Sequence, residues 1–336
     1  MRLMVTGGAG FIGSHLCERM AGKEWEVVAV DNFNDYYDPR MKHRNVEGLG
    51  GNPRFLLIEG DILDRTLMED VFRRYAFDAV VHLAARAGVR PSILDPLLYQ
   101  RVNVEGTLQL LECSIRYGMP KFILASSSSV YGSNNPVPFR EDADVDFPVS
   151  PYAATKRASE ILAYTYHALH GIPVTCLRFF TVYGPRQRPD MAIHKFTRCV
   201  AEGKPIPMFG DGTSRRDYTY IDDILDGIEK SVERAEGYRI YNLGESRTVE
   251  LGFLIRLIEN ALNRKAVIQR LGEQPGDVPV THANIEKARR ELDYRPHVSI
   301  EEGIPRFVDW FMAFLNEEHR SRRAESITGG KANPVQ

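Results

Sequence analysis

Two side chains four residues apart, in Tyr152-Ala-Ala-Thr-Lys156, carry the first chemical signal in this sequence. On a helix that spacing puts both on one face. A free phenol ionises near a pH of about 10, so a tyrosine base near neutral pH needs about 4 kcal/mol of phenolate stabilisation. A neighbouring ammonium favours the phenolate. A serine cluster, Ser126-Ser-Ser-Ser129, precedes the pair. A hydroxyl there can relay a proton between a bound substrate and the tyrosine. The spacing recurs at Tyr117 and Lys121, but Gly118 and Pro120 fall between them and break any continuous helix. The alternative for Tyr152 and Lys156 is a solvated helix face. The serine cluster weighs against it, as does Ser150-Pro151, a good helix start.

A second signal lies at the N-terminus. Thr6-Gly-Gly-Ala-Gly-Phe-Ile-Gly13 follows a strand-like run and opens a helix-like one. Two registers fit, one on Gly7, Gly10 and Gly13 and one on Gly8, Gly10 and Gly13. Either gives a tight turn and a bare backbone where a pyrophosphate can approach a helix N-terminus, here at Phe11 and Ile12. Asp31, with Asn32 beside it, ends the second strand-like run, where an acid can accept hydrogen bonds from ribose hydroxyls and repel a 2′-phosphate. That favours NAD over NADP. Capping a helix is the plainer role for Asp31. Asp61 and Ile62 are placed to meet adenine, and the small residues of Leu83-Ala84-Ala85 let backbone lie against a cofactor. An oxidised nicotinamide would add its positive charge to that of Lys156.

The elements that must position these groups alternate strand and helix. Strands are predicted at Leu3–Thr6, Val27–Asp31, Arg54–Glu59, Ala79–His82, Phe122–Ser126 and Val174–Phe180. Helices are predicted at Phe11–Ala21, Asp64–Tyr75, Leu97–Tyr117 and Tyr152–His170. The strands are apolar nearly throughout, as in a parallel sheet buried on both faces. The expected fold is α/β, a Rossmann-type doubly wound parallel sheet over residues 1–180. A smaller, interleaved substrate-binding lobe is expected over 181–318, with segments near 215–245 returning to the sheet through Ile240–Gly244. Residues 319–336, polar and without periodicity, are expected to be a disordered tail.

Composition narrows the setting. With 43 basic and 45 acidic residues the net charge is −2, which argues against a broad nucleic-acid or anionic-membrane surface. Cys17, Cys113, Cys176 and Cys199 form no C-x-x-C pair and suit free thiols in a reducing compartment. No apolar run is long enough to span a bilayer, and strand-like residues begin at once, leaving no room for a signal peptide. A cytoplasmic protein is expected. His82 suits packing or hydrogen bonding better than catalysis, and Asp222 and Asp223 suit capping of the following helix.

Taken together, these motifs resemble the extended short-chain dehydrogenase/reductase family of nucleotide-sugar enzymes, over nearly the whole chain to about residue 315. The resemblance implies a tightly held, recycled NAD, a UDP-sugar substrate and chemistry at the sugar C4. It makes Tyr152 the base, Lys156 its partner and Ser127 the catalytic serine, four residues before Tyr131, with Ser128 and Ser129 as close rivals. Dehydratases and decarboxylases of the family carry a carboxylate within that serine motif. Here Ser127-Ser-Ser-Val-Tyr-Gly132 has none, which favours epimerisation. Asp31–Asp38, Ala87-Gly-Val-Arg90, Phe179–Pro185 with Arg188-Pro-Asp-Met191, and Gln274–Asp277 are similar to UDP-glucuronate 4-epimerases. Pro91 departs from that pattern, where Tyr is usual, as do Arg186 and Gln187, often Trp-Gly.

The 4-keto form of a UDP-glucuronate is a β-keto acid and readily loses CO2, so an epimerase must hold the carboxylate out of line. Thr181, Arg188 and the serine hydroxyls are candidates for that task, Arg188 through paired charge-assisted hydrogen bonds. Binding UDP phosphates is the alternative for Arg188. For the UDP end the resemblance implies Arg216 at the pyrophosphate and Asp277 at the ribose, with Lys195 and Pro207–Gly210 framing phosphate and uracil. The competing functions are a UDP-glucose/UDP-galactose or N-acetyl-sugar 4-epimerase, a UDP-glucuronate decarboxylase and a non-catalytic NAD-binding regulator. The helices at 97–117 and 152–170 carry apolar outer faces, and the resemblance implies that they pair in a homodimer.

Overall fold

The computed structural model describes residues 1–272 and 278–329. The first half runs β1 (Arg2–Thr6), α1 (Phe11–Gly22), β2 (Glu26–Asp31), α2 (Pro39–Glu47), β3 (Phe55–Glu59), α3 (Arg65–Arg74), β4 (Ala79–His82), α4 (Val89–Leu94), α5 (Pro96–Tyr99), α6 (Gly106–Arg116), β5 (Lys121–Ser127), α7 (Pro151–His170) and β6 (Val174–Phe179). The second half runs β7 (Thr181–Tyr183), α8 (Ala192–Glu202), β8 (Ile206–Phe209), β9 (Arg215–Tyr220), α9 (Ile221–Arg234), β10 (Tyr238–Leu243), β11 (Thr248–Glu250), α10 (Leu251–Leu262), β12 (Ile268–Leu271), α11 (Glu286–Leu292) and α12 (Ile300–Gly329).

Seven parallel strands form the main sheet in the order β10-β6-β5-β4-β1-β2-β3. Alternate residues of β1 serve two cores. Leu3 and Val5 join the packing on one face, and Met4 joins that on the other. This double burial explains why the strands lack polar alternation. Between β1 and β4 the winding reverses, which opens a crevice at the carboxyl ends of the strands. β10 returns from the second half to pair with β6, Tyr241 opposite Leu177. The smaller lobe is held by the sheet β11-β9-β7 and by the pair β12-β8.

Local chemistry sets the ends of α7. The Ser150 side chain accepts from the Ala153 N–H at 3.2 Å, Pro151 occupies the first turn, and Gly171 at φ 74° closes the helix.

Several expectations change. The helix expected over 97–117 is interrupted by a π-helical turn at Gln100–Glu105. Asp38 and Pro39 start α2, a helix the periodicity did not predict. Asp222 and Asp223 lie inside the first turn of α9 rather than capping it. The Asp223 carboxylate instead accepts from the His297 and Val298 N–H groups at 3.1 Å each and clips a distant segment. Residues 319–329 continue α12 where a disordered tail is expected, because Glu, Arg and Ala extend a helix already begun by packed residues.

Candidate active site

A cleft of about 940 Å³ runs across the carboxyl ends of β1, β2, β4 and β5 to the start of β7. At its β1 end the walls are backbone. Gly7 sits at φ +69° against Ala84, and a Cβ there would lie 2.9 Å from the Ala84 nitrogen. At Gly13 a Cβ would lie 2.1 Å from the Gly7 carbonyl oxygen. The register on Gly7, Gly10 and Gly13 therefore describes the turn, and Gly8 packs on Ala29 instead. Gly10, Phe11, Ile12 and Gly13 face the cleft with the first, unpaired amides of α1. Asp31, Asn32, Asp61, Ile62, Leu83, Ala84 and Ala85 line it too. The Asp31 carboxylate already accepts from Ala9 N–H at 3.1 Å and Phe33 N–H at 2.9 Å, and pairs with buried Lys42 at 3.5 Å. Asn32 donates to Asp61 at 2.8 Å.

Tyr152, Lys156, Ser126 and Ser129 line the middle of the cleft. The Ser127 hydroxyl accepts from Ser129 N–H at 3.1 Å and stands near the Tyr152 phenol. Ser127 and Ser128 both lie outside the lining. Burial pushes the Tyr152 phenol up, against the pull of the Ser127 hydroxyl and the Arg188 charge. Lys156 does not bond to the phenol. It donates to the Ala125 carbonyl at 2.8 Å, and burial brings it down to about 8. So the expected tyrosine–lysine coupling is replaced by two separate anchors on β5. His82 bridges Thr6 at 2.8 Å and Thr107 at 3.0 Å, and burial pushes it down to about 3, so it rests as a neutral hydrogen-bonding group.

At the far end Thr181 and Arg188 line the cleft together with Arg90. Arg188 Nε and Nη2 donate to the two Asp190 oxygens at 2.9 Å each. Its guanidinium lies over the Tyr36 ring at 5.5 Å. The paired edge expected to meet a sugar carboxylate is thus held by Asp190. Arg90 lies over Phe209 at 4.3 Å and so joins α4 to the smaller lobe. Lys195 and Arg216 stand outside the lining. Arg216 instead donates to the Arg215 and Pro279 carbonyls at 2.9 Å and 3.2 Å. Asp277 lies outside the described residues.

Residues 3–244 match the NAD dependent epimerase/dehydratase family. The chain belongs to that family. It is 44% identical over 308 residues to the UDP-glucuronate 4-epimerase of Thermodesulfobacterium geofontis, covering 91% of this chain and 95% of that one. It is 41% identical to UDP-glucuronate 4-epimerase 4 of Arabidopsis thaliana, covering 95% and 77%. The UDP-glucuronic acid 4-epimerase of Bacillus cereus, solved with UDP-glucuronic acid and NAD, superposes with a TM-score of 0.89 at 38% identity, covering 94% of this chain and 100% of that one.

The residues present fit the family's NAD. The Gly7–Gly13 cradle has no room for a side chain, and an acid stands at the end of β2. Sequence reasoning missed Tyr36, Lys42, Arg86, Arg101 and Asp190, all in the lining. Lys42 follows the Asp38-Pro39 helix start, a signal that was available. Asn103 in the π-helical turn was also missed. It grips Arg86 N–H at 2.8 Å and Thr155 at 3.0 Å, tying the wall after β4 to α7. Among the described residues no His, Cys, Asp or Glu cluster could hold a metal, and no helix is long and apolar enough to cross a membrane.

Proposed function

We propose that this protein is a 4-epimerase of UDP-glucuronate, giving UDP-galacturonate. The observation that carries the reading is Tyr152, with the Ser127 hydroxyl near it, in a cleft lined also by Thr181 and Arg188 and with no carboxylate in the serine motif. NAD, when bound, supplies the hydride acceptor, the later donor and a positive charge beside the phenol. Tyr152 takes the proton of the sugar C4 hydroxyl and later returns it. Ser127 orders that transfer. Lys156, held on the Ala125 carbonyl, keeps a cation below the phenol.

Arg188 is fixed by Asp190 and Tyr36 and offers its remaining N–H groups to the uronate, with Thr181 beside it. That grip holds the carboxylate away from the alignment needed to lose CO2. Arg216, Lys195 and Asp277 would serve the UDP end. The protein works as a cytoplasmic homodimer, in keeping with its free thiols and with exposed Leu94, Leu97, Tyr164 and Leu169 on α4, α5 and α7.

Incubation of the purified protein with NAD and UDP-glucuronate, followed by proton NMR, tests the reading. UDP-galacturonate is the expected product. UDP-xylose as the main product, or turnover of UDP-glucose alone, overturns it.

A further inference from the structure

Helix α7 presents three side chains, not two, to the end of β5. Tyr152, Lys156 and Glu160 stand one turn apart and meet three consecutive residues. Tyr152 stands near the Ser127 hydroxyl, Lys156 Nζ donates to the Ala125 carbonyl at 2.8 Å, and Glu160 Oε1 accepts from the Ser126 hydroxyl at 2.6 Å. We propose that Glu160 is a positioning residue of the active site: it pins Ser126 between the two reacting anchors and sets a buried counter-charge one helical turn from Lys156. The proposal rests on the assignment of Tyr152, Lys156 and Ser127 as the reacting set.

The Glu160 carboxylate is fully buried and cannot drift. Arg178, only 1% exposed, donates to both its oxygens at 2.9 Å, and Arg157 approaches at 3.4 Å. Arg178 in turn donates to the Tyr131 hydroxyl at 3.0 Å, and Tyr131 donates to Asn242 Oδ1 at 2.7 Å. Asn242 is tied to the Phe139 and Asn284 carbonyls at 2.9 Å and 3.1 Å. A brace therefore runs from the serine turn to β10.

Stability alone is a weak reason for a buried ion pair, since well-packed apolar residues often serve as well. Here one carboxylate oxygen is shared with the serine beside Ser127, which an ion pair for stability does not need. The groups that bear on Lys156 are Glu160 from the next turn of α7, the Ala125 carbonyl from β5 and His82 from β4, with the Arg178 and Arg157 cations behind the Glu160 carboxylate. His82 is neutral at working pH. Glu160 is thus the anion that opposes the burial of Lys156. Removing that charge lowers the Lys156 pKa further, so the ammonium is lost at a lower pH.

The test uses the full-length protein carrying Glu160→Gln, which removes the anion and leaves Arg178 in place. Lys156 is followed by NMR of ¹³C-labelled lysine side chains and assigned with Lys156→Met. The midpoint of Lys156 should fall by about one pH unit or more, and the alkaline limb of kcat for UDP-glucuronate should fall with it. An unmoved midpoint in the folded variant overturns the counter-charge role.

Ser126→Ala removes a single hydroxyl and keeps the ion pair, so it decides the positioning role even if Glu160→Gln does not fold. Its kcat should drop about tenfold with KM within about twofold and the Lys156 midpoint in place. An unchanged kcat overturns that role. The lysine titration needs no substrate. A failure of UDP-glucuronate to turn over in the unaltered protein is therefore distinguishable from a failure of this proposal.

Discussion

Where the cleft meets β1 it is built from backbone, and where it meets Thr181 and Arg188 it is built from side chains carried on loops and helix ends. The first end is fixed by steric exclusion: Gly13 has the Gly7 carbonyl where a methyl group would go. Arg188, at the second end, is fixed by contact between side chains. It depends on neighbouring Asp190 and on Tyr36, far away in sequence in the segment after β2. A backbone site has little freedom to change its ligand without losing its fold. A side-chain site can be retuned one residue at a time. That difference explains how relatives with one cofactor can act on different sugars.

Four substitutions would break or sharpen the contrast. Tyr152→Phe, at the junction of the two ends, should lower kcat by about 10²–10⁴ while leaving bound NAD and Tm unchanged. Retained turnover would remove the phenol from proton transfer. Gly13→Ala should cut NAD affinity by roughly a hundredfold, because the methyl group forces the turn open by a displacement costing about 3 kcal/mol. Cofactor released on denaturation, measured by absorbance, reads this directly, and full retention would show that the turn can yield.

Arg188→Ala should raise KM for UDP-glucuronate by about ten- to thirtyfold and increase CO2 release per turnover, with the NAD content unaltered. If epimerisation and CO2 release both stay as they are, Arg188 does not hold the uronate. Arg216→Ala should have the smallest effect, a rise in KM of about fivefold with kcat retained, since its guanidinium is half-committed to the Arg215 and Pro279 carbonyls. No change in KM would make it a structural clip for that loop.

The same contrast governs how much could be read from the sequence. The glycine turn, Asp31 and the Tyr152–Lys156 pair are local patterns whose spacing fixes their geometry. The positions of the central strands followed from apolar runs, because a strand buried on both faces has no polar positions to hide. The partners of those residues were not legible. Nothing near Arg188 announces that Asp190 will occupy its paired edge. Lys156 reaches a carbonyl on β5 rather than the phenol one turn away, since that carbonyl is placed by tertiary packing. Lys195 and Arg216 were assigned by resemblance alone, and the structure leaves both off the cleft wall. The π-helical turn at Gln100–Glu105 had no signature in a helical run that is otherwise continuous.

β10 has a consequence for the chain as a heritable unit. It is made after β7, α8, β8, β9 and α9 have been spent on the smaller lobe, yet it completes the main sheet beside β6. A gene fragment ending near residue 180 would lack the strand that covers β6 and leave that edge open to pairing with another chain. A cassette cut at that boundary would separate β6 from the strand beside it, so a transplanted cofactor half has to carry β10 with it.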